Sequence, residues 1–189
     1  MFMPDLYVFP GGGVDAEDEV LECPVQLRPD VESKLRHSVS PLRARALALA
    51  AIRETFEETG LVVGDPSTHR MRAESDSWRR FAATGFVPAL DRLDYVARAI
   101  TPAGQPRRFD ARFFLVDARH VHGRLAGNGE LHDLHWVALE AADRLAMGPI
   151  TRLVLEVLRH RLAESPGDEL ADRIPLYNEL IGRELIEHH

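Results

Sequence analysis

The sequence contains one cysteine, Cys23, and one lysine, Lys34. A single thiol excludes an intrachain disulfide and a thiol-rich metal site. It fits a reducing compartment, and a cytoplasmic location is the expectation. Also missing is any apolar run near the ~18 residues that a membrane span needs. The start, Met1-Phe2-Met3-Pro4-Asp5, has neither the basic stretch nor the apolar core of a secretory signal. With lysine so scarce, arginine carries the positive charge, and this bias reads as composition rather than as phosphate binding. Positive charge is in deficit overall, at a formal net charge of -7. An acidic surface repels nucleic acid and anionic membranes, so neither is an expected partner. A phosphate ligand stays open, because a bound metal inverts the local sign.

What is present suits a globular chain. It has 189 residues, 45% hydrophobic and 28% charged, enough to bury a core in one domain. Leu6 to Phe9 reads as a strand running into Pro10-Gly11-Gly12-Gly13. Residues 14 to 39 read as loop, with one short helix around 30 to 37. Ser40-Pro41 is a helix start and Gly60 a left-handed stop, which predicts a helix over 41–59. A strand follows at Leu61 to Val63, a helix at Ser77 to Thr84 and a further element at Pro88 to Leu93. Tyr95 to Ile100 and Phe109 to Val116 read as strands joined by a proline-rich turn, and Leu134 to Leu139 as another strand. Leu139 to Leu145 opens a short helix. The spacing of Ile150, Leu153, Val154, Val157, Leu158 and Leu162 predicts an amphipathic helix. Strands mixed with helices indicate a layered α/β or α+β domain.

The most informative segment is Arg53-Glu54-Thr55-Phe56-Glu57-Glu58-Thr59-Gly60-Leu61. At about 100° per residue, Glu54, Glu57 and Glu58 share one arc of the helix, opposite Leu49, Ile52 and Phe56. Like charges at these spacings repel and cost helix stability. A hard divalent cation relieves the repulsion, and Mg2+ or Mn2+ prefers such oxygen ligands. The competing explanation is an ordinary solvated acidic face with Arg53 as its counter-charge.

Arg-Glu-x-x-Glu-Glu-x-Gly-hydrophobic resembles the second half of the Nudix box, and Phe9-Pro10-Gly11-Gly12-Gly13 resembles its opening. The resemblance implies a Nudix α/β/α sandwich with a mixed central sheet. Here the two halves are split by an insertion at about residues 19–40, and a helical C-terminal extension begins near 149. The acid six positions after Gly12 is Asp18, with Glu17 adjacent; by resemblance one of the two pairs with Arg53. The split box, with Arg107-Arg108-Phe109-Asp110-Ala111-Arg112-Phe113-Phe114, is similar to the subgroup of acyl-coenzyme A diphosphatases. Only some eight residues precede the Pro-Gly-Gly loop, where the family has one or two strands. A missing strand would open a sheet edge and favour a homodimer.

The activity so implied is hydrolysis of a diphosphate bond in a nucleotide-like small molecule, with coenzyme A or acyl-coenzyme A the leading substrate. ADP-ribose or dinucleotide hydrolysis and a non-catalytic nucleotide-binding module are the alternatives. Glu54, Glu57 and Glu58 would hold Mg2+ or Mn2+, and Arg53 would orient a carboxylate. The general base is a box glutamate, Glu57 or Glu58, or Glu130 from the Gly127-Asn128-Gly129-Glu130 turn. Gly12 and Gly13 are expected at the substrate phosphates. On the strand at 109–116 the polar set alternates with Phe109, Ala111 and Phe113. Arg98, Arg108 and Asp110 are therefore either substrate contacts or a solvent-facing ion pair. A metal set from His120, His122, His132 and His135 is disfavoured, and Trp136 is expected in the core rather than stacked on a base.

Overall fold

The computed structural model describes residues 6–69, 71–101, 103–104, 107–163, 175–178 and 182–186, the last two segments as backbone only. The chain divides into two compact units, one of Pro10–Asp94 and Leu115–Trp136, the other of Met1–Phe9, Tyr95–Phe114 and Val137–His189.

The first unit is organised by one long helix. Three short-range signals bound it. The Ser40 hydroxyl accepts a hydrogen bond from the Arg43 amide at 3.3 Å, Pro41 occupies the first turn, and Gly60 closes the helix at φ 72°. A short helix, α1 (Ala16–Val20), and a second, α2 (Pro29–Arg36), both pack on the long helix α3 (Pro41–Thr59). The expected insertion is thus part of a core: Leu21, Cys23, Leu27, Val31 and Leu35 are all buried. Helix α1 stands where the sequence pattern predicts loop. Its start is a reciprocal cap, with Asp15 and Asp18 each bonding the other's backbone, a variant of the usual Ser/Thr…Glu box.

After α3 the chain enters strand β1 (Leu61–Pro66), helix α4 (Asp76–Ala82) and strand β2 (Phe86–Pro88). β1 is the centre of a three-stranded antiparallel sheet, with β2 on one side and a later strand, Val121–Gly123, on the other. Phe56 of α3, Phe81 of α4 and Trp78 of α4 stack edge to face, with centroids 5.5 and 5.3 Å apart. That cluster fastens α4 against the buried face of α3.

The second unit holds strands β3 (Asp94–Ile100) and β4 (Asp110–Leu115), helix α5 (Pro149–Ala163), and two strands in the tail, β6 (Pro175–Asn178) and β7 (Gly182–Ile186); β5 is the Val121–Gly123 strand. The sheet order is β4-β3-β6-β7, with β3 and β6 parallel and β6 and β7 antiparallel. Ala142, Met147 and Leu155 form its apolar cluster, with Tyr7, Leu139, Leu145 and Leu158 against them. The mixed α+β class matches the expectation.

Three elements differ from the sequence reading. Leu6 to Phe9 is reduced to one bridge, Tyr7 to Met147, in place of a strand. Leu134 to Leu139 forms no strand, and Trp136 is 68% exposed rather than core. Ahead of it Asp133 adopts φ 54°, which breaks an extended run. Leu139 to Leu145 becomes a turn followed by a 3-10 turn at Ala142–Arg144.

Candidate active site

The last two turns of α3 bring Arg53, Glu54, Glu57 and Glu58 together, and α1 and the glycine loop close over them. Arg53 is the centre. Its side chain is 3% exposed, and its Nη2 and Nε donate to Asp18 at 2.9 and 3.1 Å. Nη1 donates to Glu54 at 2.9 Å and to Glu57 at 3.1 Å, and Nη2 also reaches the Gly13 carbonyl at 2.7 Å. Burial works against the charge on Arg53, but Asp18, Glu54 and Glu57 outweigh it and raise its pKa. The structure thereby decides between the two acids of α1. Asp18 faces Arg53 and is fully buried, whereas Glu17 turns away and accepts the amides of Glu74 and Ser75 at 2.6 and 2.7 Å.

The glycines work by close approach. A Cβ on Gly12 would fall 2.3 Å from Oε1 of Glu54, so any side chain there displaces the carboxylate. The Gly11 amide donates to Oε2 of Glu58 at 2.8 Å. Gly12 and Gly13 were expected beside substrate phosphate; as placed, they touch the carboxylate turn itself.

Glu58 is buried, and burial pushes its carboxyl pKa up to about 7 against the Gly11 hydrogen bond, helped by the charges of Glu54, Glu130 and Glu57. Burial also raises Glu54, opposed by Arg53. Four carboxylates therefore act on one another here. Glu130 arrives from the loop after β5, which is tied down where α3 ends. The Ala126 amide donates to the Thr59 carbonyl at 2.8 Å, and a Cβ on Gly127 would meet the Glu58 carbonyl at 2.5 Å. Glu130 itself is exposed.

The fit of a divalent cation rests on the donors left over. Glu54 and Glu57 each meet Arg53 through Oε1 only, and Glu58 meets Gly11 through Oε2 only. One oxygen on each carboxylate thus faces no hydrogen-bond donor among the described residues. These are hard oxygen ligands whose mutual repulsion Arg53 relieves only in part, the chemistry Mg2+ or Mn2+ satisfies. Among the described residues no three acidic, histidine or cysteine side chains already stand at ligating spacing, because Arg53 and Gly11 hold the carboxylates as placed. The donor chemistry suits the cation, and ligation needs the three side chains to leave these positions.

The remaining expected residues lie elsewhere. Arg98 and Asp110 belong to the second unit and form a cross-strand ion pair at 2.8 Å between β3 and β4. Arg112 joins it at 2.9 Å, and together the two arginines hold the Asp110 carboxyl below its usual range against burial. Arg108 is exposed just ahead of β4. The histidines do not gather. His122 stacks on Phe86 at 4.5 Å, His120 is 3.6 Å from Asp65, and His135 meets Asp133 at 3.5 Å. Sequence reasoning missed Trp78, whose indole N–H donates to Asp18 at 2.8 Å. Nothing in the local pattern of α4 signals a partner 60 residues away.

No family model matches the chain. A curated protein of Caenorhabditis elegans described as putative nudix hydrolase 7 is 25% identical over 147 residues, covering 72% of this chain. The chain spans 42% of that protein's length. Among solved structures, a NUDIX hydrolase from Alicyclobacillus acidocaldarius superposes with a TM-score of 0.57 at 25% identity, covering 90% of this chain and 82% of that one. Both similarities are to Nudix hydrolases, and the second is a similarity of fold as well. No helix among the described residues is long and apolar enough to cross a membrane.

Proposed function

We propose that this chain is a divalent-cation-dependent hydrolase that breaks the diphosphate bond of a nucleoside diphosphate derivative. The observation that carries the reading is the Glu54–Glu57–Glu58 turn, its first two acids held by a buried Arg53 and the third by the Gly11 amide, with one carboxylate oxygen of each left open. Those three residues would hold Mg2+ or Mn2+. When bound, the cation neutralises diphosphate oxygens and lowers the pKa of the attacking water.

The chain's own residues supply the rest. Arg53 is a positioning residue: it is spent on Asp18, Glu54 and Glu57, and its burial keeps it off the substrate. Glu130 takes the proton from the attacking water, because it is exposed, near Glu58, and outside the trio. Glu57 and Glu58 are the catalytic carboxylates of the helix. Arg108 is exposed just ahead of β4 in the second unit, outside the Arg98–Asp110 pair. Arg98 and Asp110 would brace that strand. Coenzyme A or its acyl esters are the substrate we favour, on the sequence resemblance of the split box and the Arg107–Phe114 segment. A cytoplasmic location fits the single buried thiol.

A second reading is a nucleotide-binding module without catalysis. It is favoured by the lack, among the described residues, of three ligating groups already at coordination spacing. Product release from coenzyme A, acyl-coenzyme A, ADP-ribose and NADH, with Mg2+ or Mn2+ and with chelator, separates the two. The proposal expects turnover with metal only, and a fall of at least about a thousandfold in E57Q and E58Q, given the cation's share of the catalysis. Tight nucleotide binding with no turnover on any substrate establishes the module instead.

A further inference from the structure

Asp18 has no exposure to solvent, yet it carries a carboxylate. A buried charge is tolerated only when its lone pairs are filled. They are, by donors from three elements. Oδ1 accepts Arg53 Nε at 3.1 Å and Trp78 Nε1 at 2.8 Å. Oδ2 accepts Arg53 Nη2 at 2.9 Å and the Asp15 amide at 2.8 Å. With the guanidinium and the Asp15 amide as its only partners, Oδ1 would keep one donor against two on Oδ2, and the carboxylate could tilt at that end. The indole, a single-lobed donor on a rigid ring with no exposure, fixes that tilt.

The consequence runs outward. With Asp18 fixed, the edge of Arg53 formed by Nε and Nη2 is fixed, and Nη1 is left aimed at Glu54 and Glu57. Both of those glutamates meet the same nitrogen through Oε1, so its position sets where their open oxygens lie. Helix α4 is tied to α1 at a second point as well, because Glu17 accepts the amides of Glu74 and Ser75 at the start of α4. The Ser75 hydroxyl in turn caps α4 by accepting the Trp78 amide at 3.3 Å. The placement of the indole is therefore built from both ends, by caps on one side and by Phe81 and Phe56 on the other.

We propose that Trp78 is a positioning residue for the carboxylate turn: its indole N–H orients Asp18, Asp18 orients Arg53, and Arg53 presents Glu54 and Glu57 to a divalent cation. The inference rests on the reading of that turn as a cation site. Outer partners of metal-binding side chains commonly carry about ten- to a hundredfold of metal affinity. Trp78 is one link further out, so the lower end applies.

The test compares wild type, W78F and F81L by Mn2+ titration, read both by calorimetry and by the Mn2+ spin-resonance signal. Phe removes the N–H and keeps an aromatic ring. F81L opens a void in the same stack but leaves the Trp78–Asp18 hydrogen bond intact, so it reports plain loss of packing. W78F weakens Mn2+ binding about tenfold and F81L less than about twofold, at equal foldedness by circular dichroism. In turnover, the half-saturating Mn2+ concentration rises in W78F, whereas KM for substrate at saturating metal holds. The indole 1H–15N resonance of Trp78 gives a readout free of metal: D18A moves it upfield by loss of its acceptor, and it shifts on Mg2+ addition to wild type. Equal metal affinity in W78F and wild type overturns the proposal while leaving the cation site standing. Equal weakening in W78F and F81L overturns it too, in favour of packing alone. No Mn2+ binding by wild type sinks the underlying reading, and the positioning role with it.

Discussion

At the residue scale the structure turns on one cation surrounded by acids. Arg53 meets four carboxylates, those of Asp15, Asp18, Glu54 and Glu57, at 3.6, 2.9, 2.9 and 3.1 Å. Two neighbouring groups behave in opposite ways. Asp18 is paid in full with hydrogen bonds, whereas Glu58 has one amide and three nearby negative charges, and its pKa rises to about 7 from an ordinary 4.5. Between those two values the folded chain holds a proton that the unfolded chain has lost. Stability of the cation-free protein therefore falls as pH rises from about 4.5 to about 7, as far as Glu58 is concerned. Urea titrations without metal will show that slope in wild type and a flatter one in E58Q; Mg2+ at pH 7.5 will stabilise wild type more than E58Q. Gly12 gives a second prediction. Its Cβ would lie 2.3 Å from Glu54 Oε1, so G12A moves the carboxylate by an ångström or more. Misplacement of that size costs about a hundredfold in turnover. Steady-state kinetics on G12A, with thermal unfolding as a control, measure it.

At the element scale α3 was legible because its signals are local. Ser40, Pro41 and Gly60 stand at the ends, and the apolar residues between them recur at helical spacing. Its carboxylates were legible for the same reason, since Glu54, Glu57 and Glu58 share a helix whatever surrounds it. Pairing between elements was not. Glu17 and Asp18 are adjacent, and only the rotation of the five-residue helix α1 decides which of them meets Arg53. Strand β5 is three residues long, and it exists because β1 lies beside it, a condition no window of sequence contains. The apolar run at Leu134 to Leu139 has strand composition, but no strand pairs with it among the described residues. The end of α3 carries the test at this scale. A Cβ on Gly60, already at φ 72°, would approach the carbonyls of Ala126 and Arg124 to 2.9 Å. G60A should cost more than about 1 kcal/mol of stability, from the left-handed conformation alone. It should also disturb the loop that presents Glu130, so chemical denaturation and turnover fall together.

At the scale of the whole molecule, the chemistry-bearing residues divide between two compact units. One carries the glycine loop, Asp18, the α3 carboxylates and Glu130; the other carries Arg98, Arg108 and Asp110. The strand alternation that made Arg98 and Asp110 conspicuous produced an ion pair, which occupies both residues with each other. The class of the fold followed from the order of helices and strands, and the similar solved structure agrees with it. The choice of substrate did not follow, since it depends on which side chains line the space beyond the carboxylate turn, and distant segments of the chain supply those. The account is tested most directly by calorimetric titration of Mg2+ into wild type and E57Q at pH 7.5. It predicts binding at a saturable site in wild type that is weakened at least tenfold in E57Q. Equal binding in both, or none in wild type, would contradict it.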